Sequence, residues 1–241
     1  MSNISIFLAG CTTMAAALAA VVALTGAKPS STARFDAITV GRIDVEEPDG
    51  TKRLVISNRT QFPGDFYKGH EDSRPDRRDS AGLLFVNDEG TESGGLIWSG
   101  AEQADGRLSS GLHLSFDRFR QDQTLVLEQN EDEHGSAAGV VVNDAPSWRV
   151  SSIGDLHAMD AEARKLPQAE RAAYWKRRSD EGKLLRHRIF LGTTDDRSSA
   201  LTLRDAQGRA RMQLLVSADG KPEIRMLDET GKVLKTVTPD R

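Results

Sequence analysis

The carboxylates most open to a chemical role are Asp36 and Asp44, which follow an apolar N-terminal stretch. Two carboxylates that flank a cleft can cleave a glycosidic bond, one as the acid and the other as base or nucleophile. Asp44 alternates with Ile43 and Val45, however, and this alternation is typical of a strand with one exposed face. We keep Asp36 and Asp44 as candidates for a cell-envelope hydrolase and expect a structural role for both.

A second candidate is the basic segment 174–188, which begins with Tyr174 and Trp175. Basic side chains beside aromatic rings can bind anionic lipid headgroups or nucleic acid. Asp180 and Glu181 interrupt the charges, which favours a solvated helix face. The net charge of −4 gives no electrostatic case for a nucleic-acid partner. The side chains that would contact an anionic surface are Lys176, Arg177, Arg178, Lys183, Arg186 and Arg188.

Other chemical motifs are missing from the sequence. It has no phosphate loop, dinucleotide fingerprint, serine-hydrolase elbow or zinc-protease pair. The histidines are scattered, and the acidic turns lack the ligand spacing of a calcium loop. Cys11 is the single cysteine, so the chain beyond the apolar stretch has no thiol. We expect Trp98 and Trp148 to pack in the core or its rim. These observations predict no cofactor and no metal, and favour a binding or structural module over an enzyme.

The apolar stretch from residue 4 to residue 27 carries no charge before Lys28. About 24 such residues are long enough to cross a bilayer. We expect an uncleaved anchor that tethers the chain to a membrane. The alternatives are a signal peptide cleaved near Ala27, a buried helix, and a lipoprotein box at Cys11. We place the domain in the periplasm or outside the cell, although Lys28 and Arg34 would by the positive-inside rule keep it cytoplasmic.

The elements that must position these residues are short apolar runs separated by turns that end in glycine. Glycine supplies the positive φ of a tight turn, and Asp or Asn bonds its own backbone. The pattern predicts a mainly β fold, an antiparallel sandwich, roll or barrel of hairpins, with a short helical insertion and an N-terminal hydrophobic helix. Residues 65–80 are predicted to form a long charged loop. The expected regions are 1–33, anchor or signal segment and linker; 34–154, N-terminal β-hairpin region; 155–184, helical insertion; and 185–241, C-terminal β-meander.

Several runs carry a family resemblance. They are Phe35-Asp36-Ala37-Ile38, Arg42-Ile43-Asp44-Val45, Phe85-Val86-Asn87-Asp88-Glu89-Gly90 and Phe190-Leu191-Gly192. The chain after residue 34 resembles a family of uncharacterised bacterial proteins with an N-terminal hydrophobic segment and one β-rich domain. The resemblance implies a bacterial, membrane-associated protein and supplies no activity. We therefore expect a membrane-tethered or exported binding or structural module. The alternatives are the hydrolase and a membrane-surface sensor that uses residues 174–188.

Overall fold

The structure is a computed structural model that describes residues 32–77, 79–150 and 154–239. Contacts divide the chain into two compact units, Met1–Thr39 and Val40–Arg241. Residues 32–39 of the first unit are exposed and form no helix or strand. The hydrophobic helix predicted within residues 1–33 lies outside the described residues. In the part of the chain that is described, no helix has the length and apolarity needed to cross a membrane.

Strands dominate the second unit, and most of them belong to one antiparallel sheet. Its twelve strands follow the order β1-β2-β5-β6-β7-β8-β9-β10-β11-β12-β13-β14, while β3 and β4 form a separate hairpin. The strand bounds are β1 Arg42–Glu46, β2 Lys52–Ser57, β3 Asp65–Tyr67, β4 His70–Asp72, β5 Ala81–Val86, β6 Glu92–Glu102, β7 Leu108–Asp117, β8 Gln123–Asp132, β9 Gly135–Asp144, β10 Arg186–Thr193, β11 Ser199–Arg204, β12 Ala210–Val216, β13 Pro222–Leu227 and β14 Val233–Val237.

Two helices connect β9 to β10. They are α1, Gly154–Lys165, and α2, Gln168–Asp180. The Glu162 carboxylate on α1 ties the pair together, because it accepts hydrogen bonds from the Tyr174 hydroxyl at 2.7 Å and from the Arg178 guanidinium at 2.8 Å. The helices therefore form a small hairpin of their own.

Several hairpin turns share one device, seen clearly between β11 and β12. The Asp205 carboxylate accepts hydrogen bonds from the backbone N–H groups of Gln207 and Arg209, both at 3.0 Å. Gly208 follows with a φ of +79° and donates its N–H to the Asp205 carbonyl at 2.9 Å. Side-chain and backbone bonds together fix the turn and hence the register of the strands it joins.

The main hydrophobic core lies on one face of the first strands. Val55 on β2 and Leu84 and Val86 on β5 are buried there against Phe66 on β3, and Phe62 packs beside them. The prediction of a charged loop over residues 65–80 is therefore wrong for residues 65–72, which form β3, β4 and the turn between them. Phe66 anchors the β3–β4 hairpin to the sheet, and its burial outweighs the polar composition around it.

The prediction of a mainly β, antiparallel fold is confirmed. The sequence left a sandwich, a roll and a barrel open as architectures. In the described residues, β1 and β14 each pair with a single neighbour, so the large sheet has two edges and is not closed by hydrogen bonds into a barrel.

Candidate functional site

One aliphatic side chain from every strand of the large sheet forms a row across its full width. Residues that lie opposite each other in paired strands share a face, and the register joins these residues strand after strand. We call the set the aliphatic row: Ile43, Ile56, Leu83, Leu96, Leu114, Leu127, Val140, Leu191, Leu201, Leu214, Ile224 and Val237. The face that carries it is the apolar face.

A second line of apolar side chains runs beside the aliphatic row. Phe85 and Phe116 stack there with ring centres 6.4 Å apart. From β7 onward the register continues this line with Phe116, Leu125, Val142, Ile189, Leu203, Met212 and Met226. The apolar face is thus at least two side chains wide.

The apolar face is also the more open face of the sheet. Leu191 is 54% exposed, and Leu127, Leu214, Ile224 and Val237 are exposed as well. On the opposite face the neighbouring positions in the chain are buried: Val55, Leu84, Val126 and Val141. Large contiguous apolar surfaces of this kind mark sites of interaction.

The apolar face is concave over its C-terminal part. A groove of about 1020 Å³ follows strands β7 to β14 and is lined mainly by apolar atoms. Leu127, Leu191, Leu214 and Ile224 of the aliphatic row line it, together with Pro239. A groove of this size and lining is typical of sites for apolar ligands.

A second cavity, of about 420 Å³, lies among β3, α1, α2 and the turn from β7 to β8; we call it the polar cleft. Arg77 crosses it with a bidentate ion pair to Glu92, at 2.9 and 2.7 Å. The same guanidinium lies 3.0 Å from Asp65, which also holds Arg74 at 2.8 Å. These carboxylates are therefore neutralised within the fold.

Asp117 also lines the polar cleft, and its setting differs from that of Asp65 and Glu92. Its Oδ1 atom is buried and has no hydrogen-bond partner among the described residues. Burial, together with repulsion from Glu92 and Asp122, raises the pKa of Asp117 to about 7, although Ser115 and Arg77 act in the opposite direction. A carboxyl group in such a setting can exchange a proton near neutral pH.

Aromatic side chains form much of the remaining lining of the polar cleft. The Trp148 indole N–H donates to the Lys183 carbonyl at 3.4 Å, and the Lys183 ammonium lies 5.5 Å from the Trp148 ring centre. The Tyr67 hydroxyl donates to the Val150 carbonyl at 3.3 Å. Trp175 on α2 also lines the cleft.

The carboxylate candidates lie in different units. Asp44 on β1 forms ion pairs with Arg42 and Lys52, each at 2.6 Å. Burial of the Asp44 carboxylate acts to raise its pKa, but the hydrogen bonds from both cations hold the pKa below its usual value. Asp36 is exposed and belongs to the N-terminal unit. The structure thus assigns Asp44 an electrostatic role on the sheet edge.

The basic segment 174–188 is engaged mostly within the fold. Lys176 pairs with Asp180 at 2.6 Å, and Arg178 pairs with Glu162 and Glu181. The remaining partners are the Tyr174 ring for Arg177, the Trp148 ring for Lys183, the Ser179 carbonyl for Arg186 and Asp144 for Arg188.

Sequence reasoning missed both surfaces. Neither Asp117 nor Arg77 belongs to a recognisable sequence motif. The two residues come together only because β7 and the segment before β5 both line the same cavity. The aliphatic row is partly visible in the sequence, because apolar residues occupy the alternate positions Leu112, Leu114 and Phe116. Within the described residues, no group of His, Cys, Asp and Glu side chains is placed to hold a metal ion.

Comparison of the chain with protein-family models finds no match, and comparison with curated proteins finds none either. The resemblance to a bacterial family of membrane-associated proteins therefore stays a prediction.

Proposed function

We propose that this protein is a binding module that takes an elongated aliphatic chain, such as the acyl chain of a lipid, on its apolar face. The observation that carries the proposal is the aliphatic row, in which all twelve strands contribute Ile, Leu or Val to one line. Structural stability alone does not require such a row to face outward.

The groove has the length that an acyl chain needs. Strands in a sheet lie about 4.8 Å apart, so the eight strands from β7 to β14 span about 34 Å. The acyl chains of one leaflet occupy roughly half of a hydrocarbon core about 30 Å thick. Each methylene removed from water contributes about 0.8 kcal/mol, which is enough for a long chain to bind without polar contacts.

A second copy of the chain is the competing occupant of the apolar face. Two sheets that pack face to face interdigitate their side chains at about 10 Å separation. The groove of about 1020 Å³ offers a slender ligand a volume to fill, whereas two copies packed face to face would have two such volumes to fill between them. The shape therefore supports a slender ligand over a self-complementary dimer.

We also propose that the N-terminal segment 4–27 tethers the module to a membrane, with the domain in the periplasm or outside the cell. The support is the uncharged apolar character of that segment. A tether would keep the groove close to a supply of acyl chains.

Quenching of tryptophan fluorescence by brominated stearate tests the proposal. Trp98 lies on the apolar face opposite Leu112, and it is 45% exposed. Bound brominated chains should quench Trp98, and the Trp98→Phe variant should lose that part of the quenching. A second arm with brominated phosphatidylcholine in nanodiscs distinguishes membrane lipid from free fatty acid as the source.

Matched variants make the test specific. Leu191→Asp places a charge in the groove and should weaken binding at least tenfold. Leu108→Asp makes the same change at a residue that is 48% exposed at the start of β7, outside the groove, and should bind as the unaltered protein does. Equal binding by both variants would refute the proposal. So would a stable dimer by sedimentation whose association blocks all quenching.

A further inference from the structure

We propose that the polar cleft is a second binding site, which takes a small organic cation, an amine or a quaternary ammonium, between Asp117 and the rings of Trp148 and Trp175. The site lies apart from the aliphatic groove, and no residue lines both cavities. The inference therefore stands or falls independently of the proposed function.

The charges that line the polar cleft do not balance. Asp65 and Glu92 are held by Arg74 and Arg77, and Arg120 is held by Glu89. The carboxylates of the lining that form no ion pair within the described residues are Asp117, Asp122 and Asp160. Lys183 is the one cation of the lining without a carboxylate partner there, and it lies over the Trp148 ring. The cleft thus keeps an excess of negative charge.

Asp117 is the group on which a cation would act most strongly. Its Oδ1 atom is buried without a hydrogen-bond partner in the described part of the chain, although Ser115 bonds to the carboxyl group, and a buried carboxylate without a counter-charge is costly. Glu92 on β6 and Asp122 in the following turn repel it, and Arg77 attracts it while engaged with Glu92. A ligand cation would supply the missing counter-charge, and its binding would release the proton that Asp117 holds near neutral pH.

The aromatic lining distinguishes an organic cation from a metal ion. Cations are attracted to the faces of Trp and Tyr rings, and organic ammonium groups are recognised in this way. The rings of this cleft already attract cations, since Lys183 lies over Trp148 and the Arg120 guanidinium lies 5.9 Å from the Tyr67 ring centre. A cavity of about 420 Å³ suits a small ligand.

Calorimetric titration of the full chain with choline tests the inference. The neutral carbon isostere of choline, in which a carbon replaces the nitrogen, is the matched ligand control. We expect choline to bind, the isostere to bind at least tenfold more weakly, and the choline affinity to rise severalfold from pH 6 to pH 8. Titrations in two buffers of different ionisation enthalpy should show proton release at pH 6.5, a readout that needs no variant.

The variant that tests the site is Asp117→Asn, which keeps the shape and removes the charge. It should lower choline affinity at least tenfold and abolish the proton release. Glu102→Gln removes a carboxylate from the exposed end of β6 and should change neither. Equal binding of choline and its isostere would overturn the inference, as would binding without proton release or no binding at pH 8. None of these results bears on brominated stearate, so the two proposals fail separately.

Discussion

The rings of Phe85 on β5 and Phe116 on β7 stack at 6.4 Å across the strand that separates them. The residue of β6 that lies opposite Phe116 is Gly94. Because glycine has no side chain, the two rings can meet over β6 and cover its backbone. This contact joins three strands on the apolar face.

Replacement of Gly94 by alanine should therefore be costly. A Cβ atom there would lie 2.2 Å from the Ser115 carbonyl oxygen, and the residue has a φ of +127°. We expect a loss on the order of 2–4 kcal/mol in the free energy of unfolding, measured by urea denaturation. Gly106→Ala is the control, since Gly106 has a φ of +83° and open space around it, and it should lose only about 1 kcal/mol. Similar losses for both would contradict the close approach at β6.

The two faces of the sheet should respond differently to truncation. Leu84→Ala removes a side chain from the core of the buried face, where Leu84 is 2% exposed, and should cost about 2–5 kcal/mol. Leu191→Ala on the apolar face should cost less than about 1 kcal/mol, because much of that side chain is already in water. Thermal unfolding of both variants is the measurement. A large loss for Leu191→Ala would mean that something covers the groove in the folded protein.

Asp117 should make the protein less stable as pH rises toward neutrality. Its pKa of about 7 in the folded state lies above the value near 4 of the unfolded chain, so the folded state binds the proton more tightly. The stabilisation is complete below about pH 4, declines as pH rises through 7 and is constant above it, with a total on the order of 4 kcal/mol.

Urea denaturation between pH 5 and pH 8 measures this decline. The Asp117→Asn variant cannot ionise at that position and should show a nearly flat profile across the range. The carboxylates with lowered pKa, such as Asp44 and Glu89, act at lower pH and leave this window unchanged. A wild-type profile as flat as that of the variant would show that Asp117 is not responsible.

The ion pair between Arg77 and Glu92 should matter more than the ion pairs at the surface. Both side chains are largely buried, so Arg77→Met leaves Glu92 as an uncompensated charge and should cost about 3–5 kcal/mol. Lys221→Met breaks a pair with Asp219 in which both side chains are exposed, and should cost less than about 1 kcal/mol. Chemical denaturation of the two variants gives the comparison. Equal losses would refute the view that burial sets the difference.

The fold was predictable where short sequence motifs mark the turns between strands. The turns that end at Gly208, Gly220 and Gly231 separate β11 to β14, and they are of the glycine-ended type from which the sequence predicts hairpins. The side chains and the glycine within each turn determine its conformation, and the length of the turn determines the register of the two strands that it joins. The β3–β4 hairpin was missed because its strands have three residues each and depend on the burial of Phe66.

The candidate sites were predictable only in part. Alternation in single strands shows which residues share a face, but the continuity of the aliphatic row depends on the register of every strand pair at once. The polar cleft depends on distant segments, since Arg77, Glu92 and Asp117 belong to three different elements. No local sequence pattern indicates that the Oδ1 atom of Asp117 lacks a hydrogen-bond partner among the residues that the structure describes.

The order of the strands has a consequence for how such a protein can vary. Each strand of the large sheet pairs only with the strands adjacent to it in that series, so a hairpin can be gained or lost at a turn while the remaining pairings stay intact. Every added hairpin would lengthen the groove by about 10 Å. If the groove binds an aliphatic chain as proposed, the number of hairpins would set the length of the chain that fits, and duplication of one hairpin would change that length.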